Sequence, residues 1–173
     1  PFRRREELVE ELIESAAVPR GRPTIAITDE FQIKSLFPFF VTYLAELGFD
    51  PVVHRGADQT ALKRGIEGAN VPFCAPMQQF HGLVSAMAAE RPDHLFLPMV
   101  RCLEHSAGEP HAKVCPVVQG SPDVLRWDLG KPEATDIISP VIDIGPANLA
   151  SPQFVASCQR VAETLDVSGN GWE

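Results

Sequence analysis

Four cysteines stand in a chain of 173 residues: Cys74, Cys102, Cys115 and Cys158. That is too few for a disulfide-dense scaffold, and no export signal precedes them, so metal binding or catalysis is the chemistry to expect of their thiols. Cys74 lies in Phe73-Cys74-Ala75-Pro76. Proline suits the first turn of a helix, which puts Cys74 just ahead of a helix whose dipole favours the thiolate, the form that binds metal. The other reading of Cys74 is a buried apolar residue packed under a sheet. Cys115 is followed by Pro116, which removes a backbone donor and stiffens the turn, and then by Gly120, which permits close backbone approach. Cys102, His105, His111 and Cys115 form C-x2-H-x5-H-x3-C. Four such donors would close a tetrahedral zinc site, although the intervening loop is shorter than in zinc fingers; the alternative is a solvated loop with two incidental histidines. His81 projects from the helix after Cys74, either toward a bound group or toward a nearby carbonyl. Cys158, between Phe154 and Val161 in a helical pattern, reads as core.

The elements that must position these groups are legible from periodicity. Leu8, Val9, Leu12, Ile13 and Ala16 recur at helical spacing with glutamates on the other face, predicting a helix over 5–17. Thr24–Thr28 is short, β-branched and apolar, a buried strand. A helix opening near Pro38 ends at Gly48, and a second strand follows at 51–54. Helices are expected at 59–66, 76–88, 122–127 and 152–165, and strands at 93–98 and within 135–144. The stretch 101–114 reads as a long polar loop. Strands alternating with helices imply an α/β fold in three layers, Rossmann-like or flavodoxin-like, with a mostly parallel sheet of about four to five strands. In such sheets, sites lie beyond the carboxyl ends of the strands, and Cys74, Cys102 and Cys115 all fall in segments that follow or border strands. Asp29 and Glu30, just after the first strand, face either that site or a helix start. The expected organisation is a helical connector over 1–22, the α/β domain over 23–168 and a tail over 169–173. The first residue is Pro1, so upstream sequence is expected.

Composition narrows the function classes. The formal net charge is −8 and the only basic run is Arg3–Arg5, beside an acidic helix. A nucleic-acid partner would call for a basic stripe. No apolar run approaches the ~20 residues of a membrane span, and no secretory signal is visible; a cytoplasmic location is expected. The first strand is followed by Thr28-Asp29-Glu30-Phe31, not a glycine fingerprint, and there is no Walker A loop, nucleophile elbow or H-E-x-x-H. No catalytic residue stands out.

At the cysteine segments the chain resembles a known family. C-x-P-x4-H-G at Cys74, Pro76, His81 and Gly82 looks like one family motif, and C-P-x-V-Q-G-x-P-D from Cys115 to Asp123 looks like a second. Thr24–Ile27, Leu47–Phe49 and Ile137–Ile142 agree in order and spacing. The family is the acyl-CoA dehydratase activase-related domain, allied to the 2-hydroxyacyl-CoA (2-hydroxyglutaryl-CoA) dehydratase subunits. The resemblance runs from about Thr24 to Leu165. It implies a Rossmann-like piece of a dehydratase or reductase, or of its activator. A 4Fe–4S cluster would be held by Cys74 and Cys115, with Cys102 as a conditional third ligand and His81 beside the cluster. It also implies activase modules or dehydratase-like domains as partners, in the same or another protein. The chemistry implied is ATP-driven one-electron transfer, in anaerobic metabolism, to an acyl-CoA or other small substrate. Two positions depart from the pattern: Gln78 stands where the family often has Lys, and Leu83 where it often has a second histidine. The alternative reading is a zinc-stabilised or metal-free module that binds a partner or ligand without catalysis of its own.

Overall fold

Ile25, Ala26 and Ile27 are wholly buried, as a β-branched strand flanked on both sides must be. In the computed structural model, which describes residues 2–16, 21–104, 112–130 and 135–167, this strand, β1 (Thr24–Thr28), pairs in parallel with β2 (Asp50–His54) on one side and β3 (His94–Phe96) on the other. A strand at Asp136–Ile138 extends the sheet beyond β3, also in parallel, giving the order β2-β1-β3 and then this fourth strand. Between them in sequence comes β4 (Met99–Val100), so the fourth strand of the sheet is β5, and β4 pairs with β6 (Val141–Ile142).

The β4–β6 pair continues the register of β3–β5 past an interruption. Phe96 faces Ile138 and Met99 faces Val141, which sets Pro98 opposite Pro140. Neither proline has an N–H to give. The ladder nevertheless resumes, with Met99 N donating to Pro140 O at 2.9 Å and Arg101 N to Ile142 O at 2.8 Å. On its other side the Pro98 carbonyl accepts from Gln32 Nε2 at 3.0 Å.

Two helical layers cover the sheet. One holds α1 (Phe2–Ser15), α2 (Phe37–Glu46) and α7 (Pro152–Thr164), packed on Ile25, Ile27, Phe96 and Ile138 through Phe40, Leu44, Phe154 and Val161. The other holds α4 (Ala75–Ala89) and α6 (Ser121–Asp128), which cover Ala26, Leu95 and Leu97 through Met77, Phe80, Val84 and Leu125, with α3 (Gln59–Gly68) laid across α4. The three-layer α/β expectation therefore holds, with four strands in the main sheet. Proline opens α2, α4, α6 and α7, and also the short α5 (Pro116–Gln119), as its fixed φ allows. Five of the chain's 16 prolines are helix starts.

The α3–α4 crossing brings backbone against backbone. A Cβ on Gly65 would sit 1.6 Å from Gln78 O, and one on Gly82 would sit 1.8 Å from Ala61 O. Only glycine fits at either point.

Three expectations need refinement. Of the expected apolar stripe, Leu8 is exposed, while Val9 of α1 and Ala16 just past its end are buried. The described ends of the 101–114 stretch pair with each other, Cys102 bridging Lys113 in antiparallel fashion. The residues after Cys115 make a helical turn, α5, that periodicity could not show in four residues. Among the described residues no helix is long and apolar enough to cross a membrane.

Candidate functional site

The connection from β1 leads to β2 on one side of it and the connection from β3 leads to β5 on the other. The crevice between β1 and β3 is thus a topological switch point, where open α/β sheets place ligands. The segment after β1 is shaped for that position. Phe31 has φ 61°, an outlier for a bulky residue that the surroundings must hold in place. Its ring stacks on Phe80 of α4 at 4.6 Å between centroids. Gln32 is buried, and its amide donates to Pro98 O and, at 3.4 Å, to Ser121 Oγ, stitching the two sides of the crevice.

Asp29, 2% exposed, is the charged centre of this edge. Its Oδ2 accepts from Arg5 of α1 at 3.2 Å and from Arg55, just past β2, at 3.3 Å. Arg55 also pairs with Glu6 and, at 3.6 Å, with Glu10. Burial alone would lower the Arg5 pKa, but the hydrogen bonds to Asp29 and Glu6 outweigh it and the net shift is upward. A cleft of about 280 Å³ opens among Glu6, Asp29, Glu30, Lys34, Arg55 and Gly56. Of this network the sequence marked only Asp29 and Glu30. Arg55 carried one signal, its place immediately after a strand.

The cysteines divide into two kinds, all of them free thiols. Cys74 is exposed at the N-cap of α4, with no side-chain bond to the helix. Because α4 runs back to the amino end of β3 and its first turns meet Phe31 and Ala57, Cys74 stands at the carboxyl edge of the sheet. Cys115 is exposed at the N-cap of α5, beyond β4 on the same edge. Cys102 is buried, and burial, with Asp143 adding to it, pushes its thiol up. Cys158 is half-buried on α7 beside the core, its thiol pushed up to about 11 by burial.

His81 faces inward. It is 1% exposed, with Nε2 at 3.0 Å from Asp128 Oδ2, and Asp128 Oδ1 accepts from Asn70 at 2.7 Å. Ser85 Oγ lies 3.4 Å from Nδ1 while donating to the His81 carbonyl. The histidine ties α4 to the end of α6. His105 and His111, half of the zinc alternative, lie outside the described residues. Among the described residues no three His, Cys, Asp or Glu side chains are gathered as a metal ion would need.

The chemistry on offer is therefore two accessible thiols on the carboxyl edge of a parallel sheet, beside a crevice closed by Gln32 and flanked by a charged cleft. Residues 24–171 match a family model described as the CoA enzyme activase uncharacterised domain. No curated protein and no solved structure matches the chain.

Proposed function

The chain belongs to this family of CoA enzyme activase domains, and from that premise we propose that Cys74 and Cys115 contribute thiolate ligands to a 4Fe–4S cluster in a larger 2-hydroxyacyl-CoA dehydratase or activase-related protein. The observation that carries the reading is the division of the cysteines: the two in the family-like motifs are the two that are exposed, and both head helices on the carboxyl edge. Thiolate is the donor such clusters take. We leave Cys102 out of the proposed pair, since its thiol is buried and burial pushes its pKa up. Two thiols are a partial set, so further ligands would come from another domain or from the partner activase or dehydratase-like module.

When bound, the cluster would store and pass single electrons, supporting dehydration or reduction of an acyl-CoA or another small substrate, with its potential set by burial and hydrogen bonding. The chain's own residues do the positioning. His81, Asp128 and the Gly65–Gly82 crossing hold α4 and so hold Cys74. The Gln119 amide, donating to Val114 O at 2.6 Å, closes the turn that presents Cys115.

The test is anaerobic reconstitution of the complete protein with iron and sulfide, read by absorption and by EPR after reduction. The expected result is a 4Fe–4S signal that is lost in Cys74→Ser and Cys115→Ser. A signal of full intensity in the double variant would overturn the reading. A second reading, a partner-binding module without a cluster, is favoured by exposed apolar residues close in the chain to the same cysteines: Val71 and Val117. One bound zinc, lost in Cys102→Ser, would select its zinc-stabilised form.

A further inference from the structure

Beyond the last residues of β4 and β6 the surface opens into a second cleft of about 440 Å³, lined by Arg101, Val141, Asp143, Gln153, Ala156 and Arg160. The cluster reading makes no use of it. Its walls come from three places: the residue after β4, the first residue of β6 with the residue after that strand, and the first three turns of α7.

The polar groups here are anchored. Asp143 is fixed at three atoms. Its Oδ2 accepts from Arg101 at 3.3 Å, its Oδ1 accepts from Gly145 N at 3.2 Å, and its own N–H donates to Ser157 Oγ at 3.0 Å. Arg160 is held by one nitrogen, which donates to Val141 O at 3.3 Å and to Ser157 Oγ at 3.0 Å. Each guanidinium has five N–H groups in a planar fork, and the bonds among the described residues occupy only one end of each. Two guanidinium charges face one carboxylate. The cleft is thus locally positive in a chain whose formal net charge is −8. Asp143 offsets Arg101, and Arg160 brings a charge with no acidic partner among the salt bridges of the described residues. The Gln153 amide is a further donor at the cleft wall.

A fixed fork, a second fork and an amide around one concavity suit an oxyanion taken in bidentate fashion. We propose that this cleft binds the phosphate group of a small ligand, with Arg160 as the principal contact and Arg101 as the second. Asp143 serves as a positioning residue that holds the Arg101 fork.

The experiment uses the full chain without iron, so its outcome is independent of the cluster. Inorganic phosphate, pyrophosphate and acetate are titrated separately, with binding followed by amide NMR shifts at moderate salt. Phosphate and pyrophosphate should give saturable shifts confined to 101, 141–143 and 153–160, with acetate weaker. Arg160→Gln should weaken binding by about tenfold or more, as expected for loss of a charge-assisted bidentate contact, and Arg101→Gln by less. Lys63→Gln, on the exposed face of α3, should change nothing. Arg160→Lys, which keeps the charge and removes the fork, should fall between, and it stands in for Arg160→Gln should that variant fail to fold. The proposal is overturned by shifts that do not saturate, by shifts spread over the surface, or by equal affinity in the native and arginine-substituted chains.

Discussion

Cys74 and Cys115 each stand one or two residues before a proline that opens a helix, yet the two helices are held in opposite ways. α4 buries seven of its residues, crosses α3 with no room for a methyl group, and is tied to α6 through a buried histidine. α5 is one turn long and buries none. One thiol is thus mounted on the body of the domain and the other on a surface turn. As the proposed ligand pair, they would have one fixed member to set where the bound group sits and one that could adjust to it.

The largest effects should come from the fixed side. Gly82→Ala or Gly65→Ala would drive a Cβ into a backbone carbonyl across the crossing, and backbone cannot swing away as a side chain can. Urea unfolding should show a loss of about 3 kcal/mol or more; an unchanged midpoint would mean the crossing does not anchor α4. His81→Leu removes one partner of the buried Asp128 carboxylate and leaves Asn70 as the other. The expected loss is about 2–3 kcal/mol, measured in the same way.

Thiol chemistry sharpens the contrast between exposed and buried cysteines. At pH 8 iodoacetamide should alkylate Cys74 and Cys115 well before Cys102 and Cys158. Burial raises the Cys158 thiol to about 11. A raised folded-state pKa means the neutral thiol is favoured by the fold. Its contribution to stability is complete below the ordinary thiol range and is lost as pH rises through that range to about 11. Alkylation at Cys158 should therefore climb only as pH nears that value, while mass spectrometry of each cysteine gives the rates. The smallest effect belongs to the surface turn. Val117→Ser, at a half-exposed position of α5, should change stability by no more than about 0.5 kcal/mol.

Much of this was legible in the chain itself. The β-branched run at Thr24–Thr28 and the prolines at helix starts located the strands and the cysteine caps, because those signals are local. What escaped depends on partners far apart in sequence. The opposition of Pro98 and Pro140 follows from strand register. Gly65 carried no signal, and Gly82 only its place in the C-x-P-x4-H-G motif, until the crossing shows what each one faces. His81 carried a motif but no hint that Asp128 would claim its ring nitrogen. Gln32 had no signal, since its role exists only where two loops meet at the switch point.

Protection from alkylation tests most directly the proposal that Cys74 and Cys115 hold a cluster. Cysteines of the complete protein are labelled with iodoacetamide before and after anaerobic reconstitution, and each is counted by mass spectrometry. The account predicts that loading protects Cys74 and Cys115 while Cys102 and Cys158 label no differently. Equal labelling of Cys74 and Cys115 in the loaded and unloaded protein, or protection that falls on Cys102 instead, would contradict it.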